Sequence, residues 1–196
     1  MDLVSRVKGI LLNPKHEWAT IDTEPTTVGS LYSGYIIPLA AIPAICGFIG
    51  MSIIGYNFMG VSTKSSMGSG LTRGVVSYVI GLAVVYVVAI IIDALAPSFG
   101  GQKSQIQALK VAAYSSTAVW VAGISAVLPA LGGIIGLVGL VYSLFLLYLG
   151  LPVLMKVPAE KAMGYTVVVV IAWIVLSVVV AAVVVAVVGT GMVLGQ

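Results

Sequence analysis

Five apolar stretches, at roughly 31–55, 74–96, 108–129, 133–155 and 165–190, dominate this 196-residue chain, and seven of its nine Lys/Arg residues lie on one side of them. As a helix, each stretch is long enough to cross a hydrocarbon core of about 30 Å. Lipid offers no hydrogen bonds, so every backbone amide in such a span must be satisfied within its own helix. Arg6, Lys8 and Lys15 precede the first stretch, Lys103 and Lys110 fall between the second and third, and Lys156 and Lys161 between the fourth and fifth. Only Lys64 and Arg73 lie on the other side. The positive-inside bias then places the N-terminus in the cytoplasm and, after an odd number of crossings, the C-terminus outside. The expected fold class is all-α: a polytopic protein of the cytoplasmic (inner) membrane with five transmembrane helices and an N-terminal interfacial amphipathic helix. Residues 1–196 read as a single membrane domain, of which 1–30 form a cytoplasmic or interfacial segment.

Composition agrees. The chain is 60% hydrophobic and 8% charged, with a mean hydropathy of +1.18, whereas soluble domains average about 25% charged residues. A pI near 9.0 reflects basic residues that suit anionic lipid headgroups, and it gives no reason to invoke nucleic acid. Cys46 is the one cysteine and His16 the one histidine. They exclude an intrachain disulfide and any His/Cys metal site of recognisable spacing, and no cofactor is called for. Enzymatic constellations also lack parts: an intramembrane aspartyl site needs two carboxylates and Asp93 is alone, while a Ser/His dyad would need His16, outside the bilayer. No signal-peptide pattern precedes the charged residues near the start, so the chain reads as mature from Met1.

In residues 2–12, Leu3, Val4, Val7, Ile10 and Leu11 share one helical face with Arg6 and Lys8 off it, as in a helix lying in the interface. Pro14 either ends that helix or, with Asn13 as N-cap, starts a second. Trp18 is expected at headgroup depth. Glu24-Pro25-Thr26-Thr27 breaks the pattern, the 56–73 connection reads as a flexible external loop, and Phe99-Gly100-Gly101 as a tight turn. Pro38 and Pro43 interrupt the first span and free carbonyls at Gly34 and Leu39. Gly47, Gly50, the Gly132/Gly136 pair and the Ala182/Ala186 pair offer small faces for helix contact and for a homo-oligomer.

Pro129 to Gly133 leaves so few residues between the third and fourth spans that they form an antiparallel hairpin, in which residues whose numbers sum to about 262 share a depth. Tyr114 is then level with Tyr148, Thr117 with Phe145 and Trp120 with Tyr142. Other spans bring Tyr32, Tyr35, Asp93, Ser115, Tyr165 and Thr166 toward the same layer, so the candidate polar cluster is Asp93, Tyr114, Ser115, Thr117, Tyr148 and Tyr165. Tyrosines gather at membrane interfaces in any case. Asp93 closes an apolar run at the negative end of its helix, where a carboxylate needs a partner: interfacial water, Lys103 or Lys110, a tyrosine or threonine, or a transported cation or proton.

Asn13-Pro14-Lys15 with Trp18 and Ile21, Ala96-Pro97 with Phe99-Gly100-Gly101, Tyr114-Ser115 with Thr117 and Trp120, Tyr142 with Tyr148-Leu149, Gly150-Leu151-Pro152, Lys156 with Pro158, and Lys161-Ala162 with Gly164-Tyr165 together resemble the bacterial branch of the Yip family. The likeness covers most of the chain in order. It implies a five-helix membrane domain with a cytoplasmic N-terminus and directs attention to Asn13, Pro14, Lys15, Trp18, Phe99, Gly100, Gly101, Gly150, Pro152 and Lys156. Eukaryotic relatives are associated with Rab GTPases and carry a longer N-terminal region, against about 30 residues here before the first span.

Two functions fit the sequence. One is a non-enzymatic membrane scaffold that contacts lipids, among them anionic headgroups, or a membrane or cytoplasmic protein partner through its cytoplasmic face. The alternative is a small ion or proton-coupled transporter with a cytoplasmic-side vestibule around Asp93.

Overall fold

The computed structural model describes residues 2–58, 61–128 and 131–193. Helices α1 (Leu3–Leu12) and α2 (Pro14–Thr23) form an N-terminal hairpin. Asn13 ends the first and begins the second, with Pro14 in the first turn of α2, where its missing N–H and fixed φ suit a helix start.

The first long helix runs Val28–Ile54 and opens on a capping box between Thr27 and Ser30. It is not uniform. Between α3 (Val28–Leu31) and α4 (Ile37–Phe48) lies a π-helical turn, Tyr32–Ile36, in which the Ile37 N–H reaches back to the Tyr32 carbonyl. Pro38 has no N–H to offer one turn back, and the wider turn absorbs that loss. Pro43 stays inside α4 and packs on Gly123, where a Cβ would come 2.6 Å from the proline ring. The prolines therefore serve a helix irregularity and a close helix contact. After a second π-turn, strands β1 (Tyr56–Phe58) and β2 (Val61–Thr63) pair antiparallel. Helix α5 (Met67–Leu95) starts on the N-cap Ser66, so the expected 56–73 loop is shorter than its Gly/Ser/Thr content suggested. Those residues make a hairpin, then a cap, then the first turns of a helix.

Four helices are long and apolar enough to cross a membrane among the described residues: Val28–Ile54, Met67–Phe99, Gly132–Leu154 and Ala159–Ala182. The third apolar stretch takes another form. It is divided into α6 (Gln105–Ser115), α7 (Thr117–Ala122) and a 3-10 turn, Gly123–Val127. Ser116 and Thr117 turn their hydroxyls onto the carbonyls of Ala112 and Tyr114, and the freed N–H of Val119 is taken by Ser143 Oγ of α8 (Gly132–Leu154) at 3.1 Å. Local side-chain bonds of this kind compete with the helix ladder, and a facing helix must satisfy what they release. Val119 and Ser143 are one of the equal-depth pairs expected of the hairpin. The connecting Pro129 and Ala130 lie outside the described residues. A Cβ on Gly139 would collide with Ala122, so α7 and α8 pack backbone to backbone. Helix α9 (Ala159–Val193) completes the bundle and packs on α5 and α8.

The loops of residues 96–104 and 155–158 meet at one end of the bundle, called here the basic end for its Lys103, Lys156 and Lys161. Gly100 adopts φ 74°, a left-handed turn natural to glycine. The carbonyl of Met155 accepts from the Gln102 N–H at 2.8 Å, and it lies 2.6 Å from where a Gly101 Cβ would stand. Of the small faces, Gly132 meets the Ser125 carbonyl, Gly47 and Gly136 have open space beside them, Gly50 is buried, and the side chain of Ala186 lies outside the described residues.

Candidate functional site

The N-terminal hairpin is folded onto the bundle along α8. Three contacts fix its course: the Tyr142 hydroxyl donates to the Leu11 carbonyl at 2.7 Å, Gly150 receives the Trp18 ring, and Lys156 pairs with Asp22 at 2.5 Å. Residue numbers rise together on both partners, so α2 runs parallel to α8 toward the basic end. Lys110, buried in the middle of α6, donates to the Ile21 and Glu24 carbonyls at 2.8 and 2.6 Å, and Gln107 Nε2 donates to Asp22. The exposed C-terminal carbonyls of α2 are thus answered by a cation.

One expectation for this segment is corrected. Arg6 does not lie off the packed face of α1; it is 4% exposed, while Val4 is 56% exposed. The reason is charge: Arg6 donates to Glu17 Oε1 at 2.6 Å and to Glu24, and its guanidinium stands 5.7 Å from the centre of the Tyr114 ring. Burial pulls its pKa down, but the Glu24 hydrogen bond and the surrounding Tyr114, Glu24 and Glu17 outweigh that, leaving it above its ordinary value. Trp18 is fully buried, because Gly150 leaves a notch in which a Cβ would come within 2.7 Å of the indole. Its second wall is Tyr114, edge-on at 6.3 Å.

The polar cluster drawn from the sequence divides. Tyr114 and Thr117 are brought together with Tyr35, whose hydroxyl shares a 2.6 Å bond with Thr117 Oγ1 and whose ring lies 4.6 Å from that of Tyr114. A polar cavity of about 390 Å³ beside them is lined by Arg6, Glu24, Thr26 and Ser30. Asp93 and Tyr165 form a second group at the α5–α9 contact, where the Tyr165 hydroxyl donates to the Ile92 carbonyl and its ring stacks on Phe99 at 4.9 Å. Asp93 Oδ1 is buried without a hydrogen-bond partner. Lys110, one expected partner, is committed to α2 carbonyls instead. Ser115 is buried with its hydroxyl unpartnered and lines a separate, mostly apolar cavity of about 230 Å³ with Trp120 and Trp173. Tyr148 lines a cleft with Lys15, Trp18 and Pro152.

The residues singled out by the family likeness fare differently. Lys15 and Trp18 line a cleft with Pro152, Trp18 also fills the notch at Gly150, and Lys156 pairs with Asp22; Asn13 and Pro14 form the joint between α1 and α2, and Phe99, Gly100 and Gly101 the turn after α5. Sequence reading missed Glu17, Asp22 and Glu24, which with Arg6 and Lys156 supply the ion pairs. A signal was there: three of the chain's six acidic residues fall within eight positions of an otherwise poorly charged chain. Among the described residues no group of His, Cys, Asp and Glu is disposed to hold a metal ion.

A helical membrane domain with a charged N-terminal hairpin bolted onto one end of its bundle is the class of protein these contacts define. The chain belongs to the Yip1 domain family, whose model matches residues 8–193. It is also similar to the Inner membrane protein YohC of Escherichia coli, in strain K12 and in Escherichia coli O6:H1 strain CFT073, each 32% identical over 166 residues covering 83% of this chain and 85% of the relative. No solved structure shows a significant match.

Proposed function

We propose that this chain is a non-enzymatic scaffold of the cytoplasmic membrane whose basic end, facing the cytoplasm, engages anionic lipid headgroups or a protein partner. The division of labour among its cations carries this reading. Arg6 and Lys110 are buried and Lys156 is tied to Asp22, whereas Lys8, Lys15, Lys103 and Lys161 are exposed without an ion pair among the described residues. Each such cation near an anionic surface is worth about 1 kcal/mol.

The broken 105–127 segment is the fifth crossing in this reading, and α1–α2 is the interfacial element. The Val119–Ser143 pairing supports the crossing, since it lays α7 against the middle of a spanning helix. With five crossings and the charge asymmetry, the N-terminus lies in the cytoplasm and the C-terminus outside.

The test is the lipid that co-purifies with the chain from native membranes. Enrichment of anionic over zwitterionic lipid relative to the bulk membrane, lost in a Lys8→Gln/Lys15→Gln/Lys103→Gln/Lys161→Gln variant, is the expected result. Co-purified lipid identical to bulk in both proteins would overturn the lipid reading.

A further inference from the structure

We propose that the cleft between α2, α8 and the start of α9 holds the phosphodiester of one anionic glycerophospholipid, with Lys15 and the Trp18 indole N–H as its donors. The proposal rests on the lipid-facing reading above and gives it a particular site.

The cleft has a volume of about 260 Å³ and is walled by Lys15, Trp18, Tyr148, Pro152, Val153 and Ala162, among others. Three features point to the ligand. The first is an unsatisfied donor: Trp18 is fully buried, yet its Nε1 has no acceptor, and a buried polar group without a partner is uncommon unless a ligand or water completes it. Gly150 fixes the indole in that place, because any side chain there would push the ring out.

The second feature is charge. Lys15 is exposed at the cleft and makes no ion pair among the described residues. No Asp or Glu lines the cleft. Its polar walls therefore supply donors (ammonium, indole N–H and the Tyr148 hydroxyl), which select an anion. A headgroup that also carried an ammonium would find no carboxylate to receive it, so the cleft favours a net anionic lipid over a zwitterionic one.

The third is depth. Lys15 stands beside the 148–153 part of α8, whose last helical residue is Leu154. Tyr148 is about 9 Å from that helix end at 1.5 Å per residue. The remaining walls are aliphatic, from Leu149, Val153, Ala159 and Ala162. A cation within about 9 Å of a helix end, set among aliphatic walls, matches a glycerophospholipid, phosphate at the lysine and acyl chains along those walls, better than it matches a soluble phosphate.

Native mass spectrometry of the full chain in detergent, titrated separately with phosphatidylglycerol, phosphatidylethanolamine and glycerol 3-phosphate, tests this. Lys15→Gln alters an exposed side chain and is expected to fold; Lys103→Gln is the matched control away from the cleft. The expected result is one tightly retained phosphatidylglycerol, weakened about fivefold by Lys15→Gln and unchanged by Lys103→Gln. Equal weakening by both variants would overturn the cleft while leaving a diffuse lipid-binding face intact. No preference for phosphatidylglycerol over phosphatidylethanolamine in the wild type would overturn both readings, and binding of glycerol 3-phosphate as tightly as the lipid would overturn the lipid as occupant.

Discussion

Arg6 and Glu17, eleven residues apart on two helices, meet at 2.6 Å with both side chains almost wholly buried. Their pairing closes the α1–α2 hairpin. Removing one partner of a buried pair strands the other's charge, at a cost of about 3 kcal/mol or more. Glu17→Gln is therefore expected to lower the thermal midpoint of the detergent-solubilised chain sharply. Glu24→Gln is expected to cost about 1 kcal/mol, because Glu24 is a third exposed and its charge is better solvated. Equal losses in the two variants, followed by near-UV circular dichroism, would show that the hairpin does not depend on the buried pair. Since the Arg6 pKa is raised in the fold, its contribution persists through neutral pH and would fade only as pH climbed past the usual arginine range.

Gly150 and Trp18 make the second joint of the hairpin. A methyl at Gly150 would stand 2.7 Å from the indole, and overpacking of this kind typically costs 1–3 kcal/mol. Gly150→Ala is expected to destabilise by about 2 kcal/mol and to open the buried Trp18 to collisional quenchers. Trp18→Phe in that background should recover part of the loss, giving a favourable coupling in a double-mutant cycle. Independent, additive effects would mean that the two residues are not in contact.

Lys156 combines an exposed ion pair to Asp22 with a backbone φ of 54°. The left-handed conformation costs a non-glycine residue about 1 kcal/mol, much the same as an exposed ion pair returns. Lys156→Gly is thus expected to be close to neutral in thermal unfolding. Asp22→Ala is expected to cost more, as it also removes one of the two acceptors of Gln107, the Asp22 Oδ1, and leaves the Asp22 carbonyl. Should Lys156→Gly prove the more harmful of the two, the ion pair would outweigh the backbone strain.

Much of the architecture was legible from hydropathy and charge because a bilayer punishes irregular backbone. The apolar stretches, the Asn13-Pro14 junction, the Gly100 turn and the Val119–Ser143 depth pairing all follow from local rules. The helix break at Ser116 was not legible. Its cost is covered by Ser143 on another helix, and a single-chain hydropathy window does not see a partner 24 residues away. The fate of Arg6 was hidden for a similar reason. Periodicity assigns a charged residue to the wet face, and only the fold shows that Glu17 and Glu24 arrive to meet it. The candidate polar cluster was read by depth alone, which places residues in a layer without saying which helix faces which. Tyr35, Tyr114 and Thr117 share a helix contact; Asp93 and Tyr165 occupy another.

Topology can be checked by labelling in a Cys46→Ala background. Lys8→Cys, Lys64→Cys and Lys103→Cys each sit at an exposed position. The proposed orientation expects an impermeant maleimide to reach position 64 in intact spheroplasts, and positions 8 and 103 only after permeabilisation. The reverse pattern would invert the protein. Labelling of 8 and 103 on opposite sides would remove one of the crossings between them.

Asp93 separates scaffold from transporter. Its Oδ1 is buried without a hydrogen-bond partner, so the carboxylate gains little from the fold, and Asn preserves its shape while removing the charge. Under the scaffold reading, Asp93→Asn leaves the thermal midpoint unchanged or slightly raised. Proteoliposomes of wild type and variant then show the same proton and monovalent-cation permeability as empty vesicles. A wild-type flux abolished in a folded Asp93→Asn chain would instead make this buried oxygen part of a transport site.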